Sequence, residues 1–167
     1  MADNKWVYLL RHAKSSWDNP KLADKDRPLN SRGIRNAADM GKRIAVQGFQ
    51  PNRIISSPAK RALTTACDIA DAVNYPSRSI EIESALYFCG IDAMLQVIAR
   101  LDHDVNSVML VGHNPDISGL LKKLCGESDE MPTCAFAAIS FDIDSWQDVA
   151  NTAGKLWWYD FPKSRVT

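Results

Sequence analysis

The sequence predicts an α/β protein: a three-layer sandwich with a mostly parallel central sheet, helices on both faces and an antiparallel C-terminal edge. Trp6 to Leu10 and Val108 to Val111 are continuous apolar runs, the pattern of strands covered on both faces. Segments of helical periodicity lie between them. Further on, Ala137, Ile139, Phe141 and Ile143 alternate with Ser140, Asp142 and Asp144, as in a half-exposed antiparallel strand.

Taken in order, the first strand ends at Arg11-His12, and the helix after it puts Ile34, Ala37, Gly41, Ile44 and Ala45 on one face. Arg53 to Ser56 reads as a short strand. Ser57 then fits the N-cap of a second helix, with Pro58 at the first helical position and Ala62, Ala66, Ile69, Ala70 and Val73 facing inward. A third, shorter helix carries Met94, Leu95, Val97, Ile98 and Leu101. After the strand ending at Val111, Gly112-His113-Asn114-Pro115 turns into a helix with Ile117, Leu120, Leu121 and Leu124 inward and a stop near Gly126. Leu156 to Phe161 is a last strand pairing with the alternating one. Its adjacent Trp157 and Trp158 must divide between outside and core.

A chain of 167 residues can bury the core of one domain spanning 1–167 without metals or disulfides. Twenty basic side chains balance twenty acidic ones, so no bulk field recruits nucleic acid or an anionic membrane. Any anion site must be built locally. Cys67, Cys89, Cys125 and Cys134 are dispersed, without a CxxC pair or zinc-finger spacing, and read as reduced thiols. The apolar stretch before Arg11 is too short for a signal-peptide core or a membrane span, which makes the cytoplasm the expected location. No serine triad, P-loop or metal cluster occurs, so neither metal nor cofactor is expected, and a monomer is the expected state.

Three basic motifs fall where strands end: Arg11-His12, Arg61 in the first turn of the second helix, and His113. Open α/β sheets place their ligand sites along that edge. Imidazole has an ordinary pKa of about 6.5, so a neutral, nucleophilic form is available, and neighbouring guanidinium groups favour it by repulsion. Arg11 and Arg61 are planar donors that can grip phosphoryl oxygens in pairs. His103, in Leu101-Asp102-His103-Asp104, has no such surroundings and reads as a loop residue.

Arg11-His12, Ser57-Pro58 with Arg61-Ala62 and Thr65-Ala66, and Gly112-His113, in this order, resemble the histidine phosphatase superfamily, with its phosphoglycerate mutase-like fold. RHAKSSWD is similar to the RHGESxWN of the mutase branch, and PLNSRGIRNA to the LTxxGxxQA that follows it there. The short length, RHAKS and DRPLNSRG look most like the SixA-type phosphohistidine phosphatases. The resemblance implies that His12 takes a phosphoryl group onto a ring nitrogen and then loses it to water. It implies further that His113 hydrogen-bonds an equatorial oxygen, with the imidazolium as one form it can take. Arg11, Arg61, His113 and Ser15 are the substrate-binding candidates.

Two departures bear on the chemistry. Ala13 stands where the mutase branch has glycine, so the turn there should avoid positive φ. Asp18 stands where that branch has a phosphate-binding Asn, and a carboxylate does not inherit the role. The proton donor of the mutases, a Glu after a Leu, has no counterpart beside Leu86, and Glu81 and Glu83 flank a strand instead. SixA-type proteins have an Asp three residues before RPL, which makes Asp24 the leading candidate for general acid, ahead of Asp18 and Asp26. A weak acid suits phosphohistidine, whose nitrogen leaves more easily than an alkoxide. The expected substrate is a phosphorylated protein, with a small phosphorylated metabolite as the alternative. A non-catalytic phosphate-binding module and a mutase are further alternatives.

Overall fold

In the computed structural model, residues 4–164 are described. One six-stranded sheet runs in the order β3-β2-β4-β1-β5-β6. Its strands are β1 (Lys5–Arg11), β2 (Arg53–Ser56), β3 (Glu81–Ile82), β4 (Ser107–Gly112), β5 (Phe136–Phe141) and β6 (Lys155–Asp160). Strands β3, β2, β4 and β1 are parallel, while β5 runs antiparallel to both β1 and β6. The helices are α1 (Ser31–Gln47), α2 (Lys60–Ala72), α3 (Ile91–Ala99) and α4 (Asp116–Cys125). Among the described residues no helix is long and apolar enough to cross a membrane.

The pleat of β1 explains the three layers. Val7 and Leu9 join Val108 and Leu110 against α3 and α4, while Tyr8 and Leu10 join Met109 and Val111 against α1 and α2. A strand buried on both faces has no polar alternate, and the unbroken apolar run is what this requires. Burying a leucine in this way contributes about 2 kcal/mol by area alone. The chain leaves β1 towards α1 on one face and β4 towards α4 on the other. Adjacent parallel strands whose connections diverge open a crevice between their carboxyl ends.

Several local expectations are corrected. Helix α2 starts at Lys60, two residues beyond the predicted start at Pro58, because Ala59 is extended at its N-cap (ψ 137°) and Ser57 Oγ is engaged with His113. The inner face of α1 is Gly33, Ala37, Met40, Gly41 and Ile44, which leaves Ile34 54% exposed and Ala45 outside. Gly33 sets that rotation by lying flat on the loop after β1. The predicted half-exposed strand β5 is buried throughout, Ser140 included. Its outer face is covered by aromatic side chains: Trp158 lies on Phe136 at 5.7 Å, and Trp157 Nε1 donates to Ser140 Oγ. Trp157 and Trp158 do not divide between the two faces as expected: the register shift at Ala138–Ile139 puts both over the same face of β5, Trp157 exposed and Trp158 half-buried. Gly126 ends α4 in the left-handed region (φ 82°), as expected.

A Cβ on Gly33 would lie 2.1 Å from the Lys14 carbonyl oxygen. Gly33→Ala therefore displaces the segment that follows His12. We expect a loss of about 1–3 kcal/mol in urea unfolding, as for other overpacked contacts. Unchanged stability would mean that α1 does not seat on this loop.

Candidate active site

Register along the sheet brings the strand ends together. Arg11 pairs with Gly112 and Ser56 with Val111, so His12, His113 and Ser57 each follow the last residue of a parallel strand at the same level. The end of β4 holds the backbone of the other two: His12 N donates to the Gly112 carbonyl at 3.2 Å and Ser57 N to the Val111 carbonyl at 3.0 Å. From the antiparallel side, Cys134 N is within 3.1 Å of the Arg11 carbonyl and 3.0 Å of the His12 carbonyl. A cavity of about 390 Å³ opens above them, lined by His12, Arg11, Arg61, His113, Ser15 and Asp24 among others. Sequence candidates from four separate segments thus meet in one place.

His12 is buried, and its Nδ1–H donates to its neighbour Ala13's carbonyl at 2.7 Å. This fixes the proton on Nδ1 and leaves Nε2 with its lone pair, unengaged by any hydrogen bond among the described residues. Burial lowers the ring's pKa to about 4; the Ala13 bond opposes this, and Arg61, Arg11 and Arg27 add to it by repulsion. Ala13 is held in turn, since its N–H donates to Thr65 Oγ1 at 3.0 Å, and that hydroxyl donates to the Arg61 carbonyl at 2.7 Å. As expected without a glycine, Ala13 is not among the residues with positive φ.

His113 stands with its ring centroid 5.1 Å from that of His12. Arg61 Nη2 approaches its Nδ1 at 3.4 Å, so Nδ1 accepts, and Nε2–H donates to Ser57 Oγ at 2.7 Å. Burial foremost, then the charges of its neighbours, lowers its pKa to about 3. The resting form is therefore neutral, and the imidazolium considered from the sequence is not present before an anion arrives.

The three guanidinium groups differ in their ties. Arg11 gives Nη1 to the Met131 carbonyl at 3.0 Å and keeps a buried Nε without a partner among the described residues. Arg61 donates to the Asp24 carbonyl at 2.7 Å and to Asp24 Oδ2 at 2.9 Å. Arg27, absent from the sequence candidates, donates to Asp24 Oδ1 at 3.0 Å and also to Ser15 Oγ, and its guanidinium carbon lies 3.3 Å from the Trp17 ring centroid. Its signal was present in the DRPLN segment, where it read only as a family mark.

Asp24 is thus brought into the site, whereas Asp18 and Asp26 are exposed and line no part of this cavity. The excursion after His12 closes at its base through Asn30 N on the Lys14 carbonyl, at 3.0 Å, and its tip turns back over Arg61. There Tyr87 Oη donates to Asp24 Oδ2 at 2.5 Å. Partial burial raises the Asp24 carboxyl, but bonds from Tyr87, Arg61 and Arg27 outweigh it and hold the group well below the usual carboxylate range. In the resting state Asp24 is a carboxylate. His103 is exposed, Glu81 pairs with Arg53, and among the described residues no cluster of metal-binding side chains occurs.

Comparison with known proteins fits this geometry. The profile of the histidine phosphatase superfamily (branch 1) matches residues 7–87. Phosphohistidine phosphatase SixA of Escherichia coli (strain K12) is 31% identical over 142 residues, covering 81% of this chain and 85% of its own length. A chloroplastic protein of Arabidopsis thaliana is 28% identical over 160 residues, 91% of this chain and 73% of that one. Among solved structures, one assigned as phosphohistidine phosphatase SixA from Agrobacterium tumefaciens superposes with a TM-score of 0.81 at 31% identity, covering 95% of this chain and 99% of that one. The protein histidine phosphatase SixA complexed with tungstate superposes at 0.78 and 28% identity, over 95% and 98%.

The low pKa of His12 makes stability depend on pH. An unfolded imidazole takes up its proton near 6.5 and the buried one only near 4, so between these values the unfolded chain binds more protons. Stability falls as pH drops through that window, by about 3 kcal/mol for a single histidine so shifted, and is unaffected by this group above it. Urea midpoints measured from pH 7 to pH 4 should show this slope, and His12→Asn should flatten part of it. Parallel profiles for the two proteins would refute a neutral, buried ring.

Proposed function

Since the chain belongs to the histidine phosphatase superfamily, in its SixA-type branch, we propose that it hydrolyses phosphohistidine in proteins through a phosphoryl group carried on His12. The observation that carries this reading is the His12 ring itself: neutral, with its proton committed to the Ala13 carbonyl and its free nitrogen in a cavity walled by guanidinium groups. Nε2 attacks phosphorus, a new P–N bond forms, and the P–N bond to the substrate's imidazole breaks. Water then attacks the phosphoryl group on His12, releasing phosphate and restoring the neutral ring. Arg11, Arg61, His113 and Ser15 bind the oxygens, and preorganised charge of this kind supplies most of the stabilisation in phosphoryl transfer.

Asp24 has a two-stage part. At rest it occupies Arg61 and Arg27. An arriving phosphoryl dianion takes over these donors, and Asp24, left beside a new negative charge, gains affinity for a proton. It gives that proton to the departing imidazole and receives one from the attacking water. His113 gains proton affinity in the same way and becomes a donor through Nδ1.

The cavity mouth supports a protein substrate with a flat leaving group. Trp17 is 75% exposed there, and Phe88 presents a ring whose centroid lies 4.7 Å from that of His113, tilted by 32°. No inserted helix stands over them: residues 87–90 join the turn at Ser84–Leu86 directly to α3. The reading extends to a monomer in the cytoplasm, where four dispersed cysteines that are free of disulfides would stay reduced.

Steady-state hydrolysis of a phosphohistidine protein should exceed that of a panel of sugar and nucleotide phosphates in kcat/KM, and a large preference for the panel rejects the substrate class. His12→Ala should cost about 10³-fold or more in kcat while inorganic phosphate still binds, and intact turnover would remove the nucleophile assignment. Asp24→Asn should lower phosphohistidine hydrolysis less than about tenfold but alkyl phosphate hydrolysis by about 10²–10⁴. Equal losses on both would show that Asp24 transfers no proton to the leaving group.

A further inference from the structure

A second cavity, of about 340 Å³, shares Arg11, Lys14 and Thr133 with the first as a common wall. Arg32 and Lys163 complete a ring of four cations, and among the described residues no carboxylate lines it. In a chain whose charges sum to zero this is a marked local excess, and it lies directly beside the proposed site of phosphoryl transfer. We infer that this cavity is a subsite for acidic side chains flanking the phosphorylated histidine of a protein substrate, an inference that rests on the phosphohistidine reading above.

The two cavities hold their cations differently. Around His12, Arg27 and Arg61 are buried and both bonded to Asp24. In the second cavity Lys14, Arg32 and Lys163 are exposed, and none of them is in an ion pair among the described residues. Arg11 stands between, with one amino group on the Met131 carbonyl and its buried Nε still without a partner among the described residues. The carboxylate acting most strongly on it, Glu130, accepts from Asn114 outside this ring.

The character of the lining selects the ligand. A second phosphoryl group calls for buried, converging donors like those around His12. Long exposed side chains around a floor of Pro132, Phe161 and Pro162 suit an extended peptide instead, its backbone on the apolar floor and its carboxylates among the cations. Arg32 stands in the first turn of α1, where the positive end of the helix adds to the same field.

The test uses two phosphohistidine peptides of equal length, one flanked by Asp and Glu, the other by Asn and Gln. Wild-type protein should prefer the acidic peptide by about tenfold in kcat/KM, chiefly through KM, which two or three exposed ion pairs can supply. Raising the salt concentration should shrink the preference. Charge reversal at the exposed pair, Arg32→Glu with Lys163→Glu, should abolish it while changing the neutral peptide by less than about twofold, and Arg32→Gln with Lys163→Gln should remove most of it. Equal kcat/KM for the two peptides in the wild type would overturn the subsite and leave the phosphatase reading standing. A preference that survives charge reversal overturns it too. Failure to hydrolyse either peptide would overturn the phosphohistidine reading, and the subsite with it.

Discussion

Ala13 carries the two hydrogen bonds on which the site depends. Its carbonyl takes the Nδ1 proton of His12, and its N–H is held by Thr65. The first bond chooses the tautomer; the second sets where the chosen nitrogen lies. Because the Thr65 hydroxyl is itself bonded to the Arg61 carbonyl, the helix that carries Arg61 also steadies the loop after His12. His12 and Arg61 are thereby tied through Ala13 and Thr65, and geometry held this closely is what the proposed in-line displacement needs.

Electrostatics around this anchor are balanced at rest. Three guanidinium groups near a buried imidazole repel one another and any added proton, and the chain answers with a single carboxylate. Asp24 spans two of the three, so the strap after β1 closes over the pocket using the contacts an oxyanion would use. Tyr87 braces that strap from the other side, through its hydroxyl on Asp24 and through its ring, whose centroid lies 5.1 Å from the Lys25 ammonium. Two of the arginines are thus held at rest by a weaker version of the proposed ligand, and their donors are already oriented when one arrives.

The legible parts of the sequence were those with one strong local cause. A strand buried on both faces has to be continuously apolar, so β1 and β4 and the basic residues at their ends could be read directly. Asp24 was placed by motif, and its bonds to Arg61 and Arg27 put it where the motif implied. What escaped depended on partners remote in sequence. Arg27 becomes a site residue only because the loop folds back over Arg61, and Tyr87 only because its hydroxyl finds Asp24. The face of α1 was misjudged by one step because a backbone contact, Gly33 on Lys14, outranks the apolar pattern. The outer face of β5 is closed by aromatic rings, and alternation alone does not distinguish this from water.

His12 immediately follows β1, yet the two strands that flank β1 come from residues 107–112 and 136–141. Until both are made, His12 is an ordinary solvated imidazole titrating near 6.5. The Cys134 amide that reaches the Arg11 and His12 carbonyls arrives later still than β4. The surroundings of residue 12 therefore wait on segments more than a hundred residues further along, and a product of synthesis cut short before them carries the histidine without the burial on which its proposed reactivity rests.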